Sequence, residues 1–158
     1  MCQETPFKNL ADVELSGAHK ISLEQGKKTK LGKSKNSLIA QKDSEIGVLY
    51  DLNGMLLFIN GDVTNLKPDH LEDIDKEFKE MNEWGPNEPD HSKIETFGNY
   101  RVLVIDFEFA DRGTGRYSFW AQTKNNKKIL VGFLEYELTN KSKAKEAIDK
   151  LIKHIKFK

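Results

Sequence analysis

One cysteine in 158 residues, Cys2, removes an intramolecular disulfide and any cysteine-rich zinc site from consideration. Four prolines and eleven glycines are too few for a collagen-like or low-complexity chain. No apolar run reaches the roughly 20 residues that a bilayer-spanning helix needs, and no signal-peptide core is present in the sequence. Charge of either sign is not in excess, with 25 basic against 25 acidic residues, so no global cationic field favours nucleic acid or an anionic surface. The four histidines, His19, His70, His91 and His154, lack metal-ligand spacing, and no nucleophile-elbow motif occurs. No cofactor is expected.

Apolar residues make up 37% and charged residues 32%, more polar than an average globular domain, and the surplus lies toward the N-terminus. Residues 1–18 show few apolar side chains and no period, and read as a flexible tether. A single domain is expected over 19–158, best supported over 46–158. Within it, Ile21 and Leu23 alternate with polar neighbours in a first strand between His19 and Leu31. Lys27, Lys28, Lys30, Lys33 and Lys35, mixed with Gly26, Gly32 and Ser34, read as a solvated loop, and Ser37–Ala40 as a second short strand.

The clearest local signal is the hairpin. Ile46–Tyr50 and Met55–Ile59 flank Asp51-Leu52-Asn53-Gly54, and Asn-Gly tolerates the positive φ of a type I′ turn. Leu71, Ile74, Phe78 and Met81 then recur at helical spacing after Pro68. Glu72–Lys76 and Asp75–Lys79 are spaced for i,i+4 pairing on the solvated side, and Gly85-Pro86 is the expected stop. Strands follow at Lys93–Phe97, Tyr100–Phe109, Arg116–Thr123 and Ile129–Leu138. In the second of these, Asp106 and Glu108 alternate with Phe107 and Phe109, which predicts one wet face. A closing helix carries Ala144, Ile148, Leu151, Ile152 and Ile155 on one face, with Asn140 or Ser142 as its cap. The expected fold is α+β: a single antiparallel sheet, hairpin plus three-strand meander, flanked by two helices.

Few residues suggest chemistry. Asp106 and Glu108 are the available acid pair, but carboxylates alternating on a strand are ordinarily solvent-facing. Asp111-Arg112-Gly113-Thr114-Gly115-Arg116 holds a Gly-x-Gly between two strands, not before a helix, and reads as a hairpin loop rather than a phosphate cradle. Asn140-Lys141-Ser142 matches a glycosylation sequon but is better explained as a helix cap. Trp84 and Trp120 are the candidate partner surface, with core packing as the competing reading. The lysine cluster lacks the interleaved aromatics and arginines of single-strand binders, so no nucleic-acid partner is expected; a solvated loop is the better reading, with binding of anionic lipid headgroups beside a membrane anchor as the alternative.

Cys2, followed by polar Gln3-Glu4-Thr5-Pro6, resembles the start of a bacterial lipoprotein after signal-peptide removal. The resemblance implies lipidation at Cys2, a membrane anchor and a place on the periplasmic side of a bacterial envelope, or in the cytoplasm if Met1 is the native start. From Ile46 onward the order hairpin, helix, meander, helix is similar to the PsbP-like family with its α/β/α sandwich. The ending Ile148-Asp149-Lys150-Leu151-Ile152-Lys153-His154-Ile155-Lys156-Phe157 resembles small envelope lipoproteins of that type. That resemblance implies a non-enzymatic binding or assembly module with an unknown protein partner, and carries no catalytic residues. Two alternatives stay open: an immunity protein or secretion chaperone that binds a toxin, and a small enzyme using Asp106, Glu108 or Arg112.

Overall fold

A computed structural model describes residues 7–42, 47–82 and 91–158. In chain order the strands and helices are β1 (Ala11–Asp12), β2 (Ala18–Ile21), α1 (Leu23–Lys27), β3 (Val48–Leu52), β4 (Met55–Val63), α2 (His70–Met81), β5 (Ser92–Phe97), β6 (Tyr100–Phe109), β7 (Thr114–Thr123), β8 (Lys128–Glu137), α3 (Lys141–Lys153) and β9 (Lys156–Phe157). Seven strands form one sheet in the order β2-β3-β4-β8-β7-β6-β5, and every pairing is antiparallel. β1 and β9 form a separate two-stranded pair. The fold is α+β, as the sequence implies. Among the described residues it carries three helices rather than two, and its sheet extends beyond the hairpin and meander to β2 and β5.

The hairpin forms where Asn-Gly demands it. Asn53 (φ 52°) and Gly54 (φ 87°) both take left-handed backbone, and Val48–Leu52 pairs with Met55–Ile59 in the register that the turn sets. Because side chains alternate along each strand, the sheet has two apolar faces. One carries Tyr50, Leu57, Ile59, Val102, Tyr117, Phe119, Leu130, Leu134 and Tyr136, and α3 covers it with Ala144, Ile148, Leu151 and Ile152. The opposite face is covered in two parts. α1 and the turns after it bring Leu23, Leu31 and Ile39 onto Leu49, Leu56, Phe58 and Phe133. α2 brings Leu71, Ile74 and Phe78 onto Leu103, Ile105, Phe107 and Trp120. Each large side chain buried this way contributes about 1.5–3 kcal/mol.

The described part of the expected tether, residues 7–18, is integral to the domain. Phe7, Leu10 and Ala11 are buried, β1 pairs with β9, and the Lys158 amide donates to the Leu10 carbonyl at 2.8 Å. Sparse apolar residues without a period concealed this, because the segment packs through isolated side chains on α3 and the sheet rather than through a regular face. The expected first strand is a strand only to Ile21. Ser22 then starts a helix through a capping box: its hydroxyl accepts the Gln25 amide at 3.0 Å while Gln25 Oε1 accepts the Ser22 amide at 2.8 Å. Ser37–Ala40 forms turns instead of a strand, with Ile39 fully buried.

A buried polar staple holds this turn segment. Glu135 on β8 accepts the Ser37 hydroxyl at 2.6 Å and the Leu38 amide at 2.9 Å. Arg116, directly opposite on β7, lies 3.7 Å from the Glu135 carboxylate and donates to the Asn36 carbonyl at 2.9 Å. Its guanidinium sits against the rings of Phe107 and Phe109. Gly32 makes the same segment possible sterically, since a Cβ there would fall 1.9 Å from the Gly26 carbonyl oxygen.

In α2, Met81 departs from the expected stripe and is 75% exposed. Glu72 bonds Arg101 on β6 at 2.8 and 2.9 Å rather than Lys76, whereas Asp75–Lys79 forms as expected at 3.1 Å. Gly85-Pro86 lies outside the described residues. Asn140 occupies the N-cap of α3 without a side-chain capping bond.

Candidate functional site

Even-numbered residues of β6 point toward α3, so Asp106 and Glu108 share a face with Tyr100, Val102 and Val104. This corrects the expected wet face at Asp106, whereas Glu108 is exposed as expected. Leu103, Ile105 and Phe107 face α2 instead, so both sides of the strand are covered over its first part. α3 starts directly above the carboxylates. Lys141 Nζ stands 3.7 Å from Asp106 Oδ2 and contacts Glu108 Oε1.

Between α3 and the β5–β7 edge of the sheet lies a cleft of about 560 Å³. Val102 and Val104 of β6 and Tyr117 of β7 form its floor, and Ile148 and Ile152 of α3 its far wall. Lys93 and Glu95 stand on the β5 side, 2.5 Å apart, while Lys145 and Asp149 pair at 3.3 Å on the helix side. The rim charges therefore satisfy one another. Asp106 does not follow that pattern: its Oδ1 is buried with no hydrogen-bond partner among the described residues. Unpaired buried acceptors cost about 1–3 kcal/mol, and each calls for an explanation in terms of strain, function or solvent.

Burial pushes the Asp106 carboxyl up from its ordinary value. Glu108 adds to that, while Lys141 and His91 oppose it. Tyr117 is raised by burial and then by the Asp106 charge, and Tyr136, stacked on it at 5.3 Å, is raised further for the same reasons. Both stay phenolic at any physiological pH. Lys141 is raised through its hydrogen bond to Glu108 and stays charged. The cleft thus offers an apolar floor, a fixed ammonium and, beneath its surface, one carboxyl oxygen without a hydrogen-bond partner among the described residues. Among the described residues there is no group of three metal-ligating side chains.

Of the residues that the sequence offered, Asp106 and Glu108 come together with Lys141, 35 and 33 positions away, and no local pattern announces that meeting. Trp120 lies under α2, its ring 5.5 Å from that of Phe78 and partly buried, so the core reading describes it better than a free partner surface. Arg112 sits in the turn between β6 and β7, where Gly113 (φ 66°) completes the expected hairpin loop. Cys2 and Trp84 lie outside the described residues. Among those described, no helix is long and apolar enough to cross a membrane.

No protein-family model and no curated protein matches the chain. A crystal structure of a protein from Bacteroides thetaiotaomicron VPI-5482 is similar in fold, with a TM-score of 0.54 and 13% identity over 99% of this chain. The chain spans 47% of the length of that structure. At this identity the likeness extends to the α+β fold alone.

Proposed function

We propose that the chain is a non-enzymatic protein-binding domain of PsbP-like type, held at a bacterial envelope by a lipid on Cys2, and that a segment of its partner docks along β5 and over the adjoining cleft. The observation that carries this reading is the buried Asp106 Oδ1, without a hydrogen-bond partner among the described residues, in an apolar-floored cleft beside an edge strand. Among the described strands β5 is the last of the sheet and pairs only with β6, the kind of edge to which an extended segment adds. Such a segment gains main-chain hydrogen bonds from the strand and sends alternate side chains toward the cleft between the sheet and α3, whose lining includes Asp106. Two or more acyl chains at Cys2 hold the domain permanently at a bilayer, whereas one holds it only marginally.

Two measurements test the two halves. A photo-crosslinking residue in place of Lys93 should give a discrete adduct in the native host that weakens with Asp106→Leu. The same residue in place of Lys20, on the opposite edge strand β2, should not. Equal adducts from both edges sink the docking site. Intact mass of the native protein should show a diacylglyceryl group on Cys2, and an unmodified thiol on a soluble native product removes the anchor. A second reading, acid–base catalysis, draws on the raised Asp106 carboxyl beside Lys141. An unchanged phenotype in the Asp106→Asn, Glu108→Gln double variant eliminates it.

A further inference from the structure

The chain carries no net charge, yet cations outnumber carboxylates four to one in the lining of one cleft. The turns after α1 fold against the β6–β7 loop and the end of β8, forming an open cleft of about 500 Å³. Lys30, Lys33, Lys35 and Arg112 line it, with Glu137 the sole carboxylate of the lining. Glu137 pairs with Lys30 at 3.1 Å, an exposed contact in which Lys30 remains 88% accessible. Asp111 lies 3.7 Å from Arg112, also in the open. Lys33 and Lys35 are exposed and have no carboxylate within ion-pair distance among the described residues.

The lysines hang from a fixed base. Arg116 holds the Asn36 carbonyl, Glu135 holds Ser37 and Leu38, and Gly32 packs on Gly26. Four cations from two segments some eighty positions apart are therefore presented together without a backbone ordering cost at each encounter.

The chemistry of the lining discriminates among anions. A tight single-phosphate site uses arginine forks and free backbone amides. Here one arginine is present, and the Gly113 amide already donates to the Ala110 carbonyl at 3.2 Å. Single-stranded nucleic acid is held by aromatic stacking as well as charge, and no aromatic side chain lines this cleft. Hydrated, mobile ammonium groups over an open surface suit a field of phosphodiester headgroups, where each cation acts through the surface potential rather than a fixed geometry.

We propose that the surface of Lys30, Lys33, Lys35 and Arg112 docks on an anionic phospholipid bilayer. The docking is independent of a lipid on Cys2, so the test uses the full chain carrying Cys2→Ser. Co-sedimentation with phosphatidylglycerol-containing vesicles should be seen at low salt, fade as salt rises, and be absent with phosphatidylcholine alone. Replacing Lys33 and Lys35 by Gln should lower partitioning about 25-fold, at about fivefold per cation near such a surface. The control pair Lys143→Gln, Lys153→Gln on α3 removes the same charge elsewhere and should change partitioning far less. Both pairs alter exposed side chains, and circular dichroism confirms that each variant is folded. Absence of binding to anionic vesicles, an equal loss in both double variants, or displacement of the protein by millimolar inorganic phosphate in place of lipid would each overturn the proposal.

Discussion

Truncation of Glu135 to alanine probes the staple that places the lysine segment. The carboxylate is 6% exposed and faces Arg116, whose side chain is 12% exposed. Removing one partner of a buried ion pair costs about 3–5 kcal/mol, because the other charge is left uncompensated. The Ser37 hydroxyl and Leu38 amide also lose their acceptor, at about 1–3 kcal/mol for each donor that stays buried. These costs overlap, because the segment can lift away and hydrate its groups, so a loss of about 4 kcal/mol is expected. The double variant Arg116→Met, Glu135→Leu removes the stranded charge but still orphans Ser37 and Leu38. It should lose about 1–3 kcal/mol, less than Glu135→Ala alone.

Urea unfolding of Glu135→Ala and of the cycle of wild type, Arg116→Met, Glu135→Leu and their double variant, with hydrogen exchange read over residues 36–42, separates global from local loss. A Glu135→Ala variant within about 1 kcal/mol of wild type, or a double variant that loses the sum of the singles, would refute the reasoning. Titration adds a sign. Burial raises the Glu135 carboxyl above its ordinary value, against the opposing pull of Ser37, Leu38 and Arg116. A raised acid binds its proton more tightly folded than unfolded. Wild type should therefore lose stability as pH climbs from the ordinary glutamate value through the folded one, and the deficit of Glu135→Gln should shrink over that interval.

Asp106 obeys the same sign, since burial raises it; Asp106→Asn should gain on wild type in thermal melts as pH rises above the ordinary aspartate range, and a constant gap would contradict a buried carboxyl. Gly32→Ala should destabilise by at least about 2 kcal/mol in denaturant titration, because its Cβ meets backbone rather than a movable side chain; a neutral result would mean that the turn is not packed on Gly26. Tyr100→Phe should cost about 1–3 kcal/mol, because the hydroxyl donates to the Ile152 carbonyl at 2.7 Å and accepts the Ile155 amide at 3.3 Å where α3 ends. A shift in melting temperature too small to resolve would show those groups satisfied otherwise.

Local chemistry carried much of the architecture. Asn53-Gly54 dictates its hairpin because two consecutive left-handed residues admit almost nothing else. The stripes of α2 and α3 and the alternation of β7 and β8 are legible because helix and strand periods differ. The helix at Leu23 reads in the sequence as part of a strand, because the alternation of Ile21 and Leu23 outweighs the Ser22–Gln25 capping box. Residues 7–18 and 37–40 were not legible, since they pack through single side chains whose partners lie far along the chain.

The sites follow the same division. By itself the sequence determined the hairpin, the stripes of α2 and α3, the long strands, the alternation that sets Asp106 apart from Phe107, and the clustering of lysines between 27 and 35. Only the tertiary structure decided what those residues meet. The start of α3 falls over Asp106 and turns a strand carboxylate into a buried acceptor beside Lys141. The Glu135 staple brings Lys33 and Lys35 to Arg112 and turns a run of charges into a surface. Both outcomes depend on contacts between residues tens of positions apart, which a period of two or of 3.6 residues does not encode.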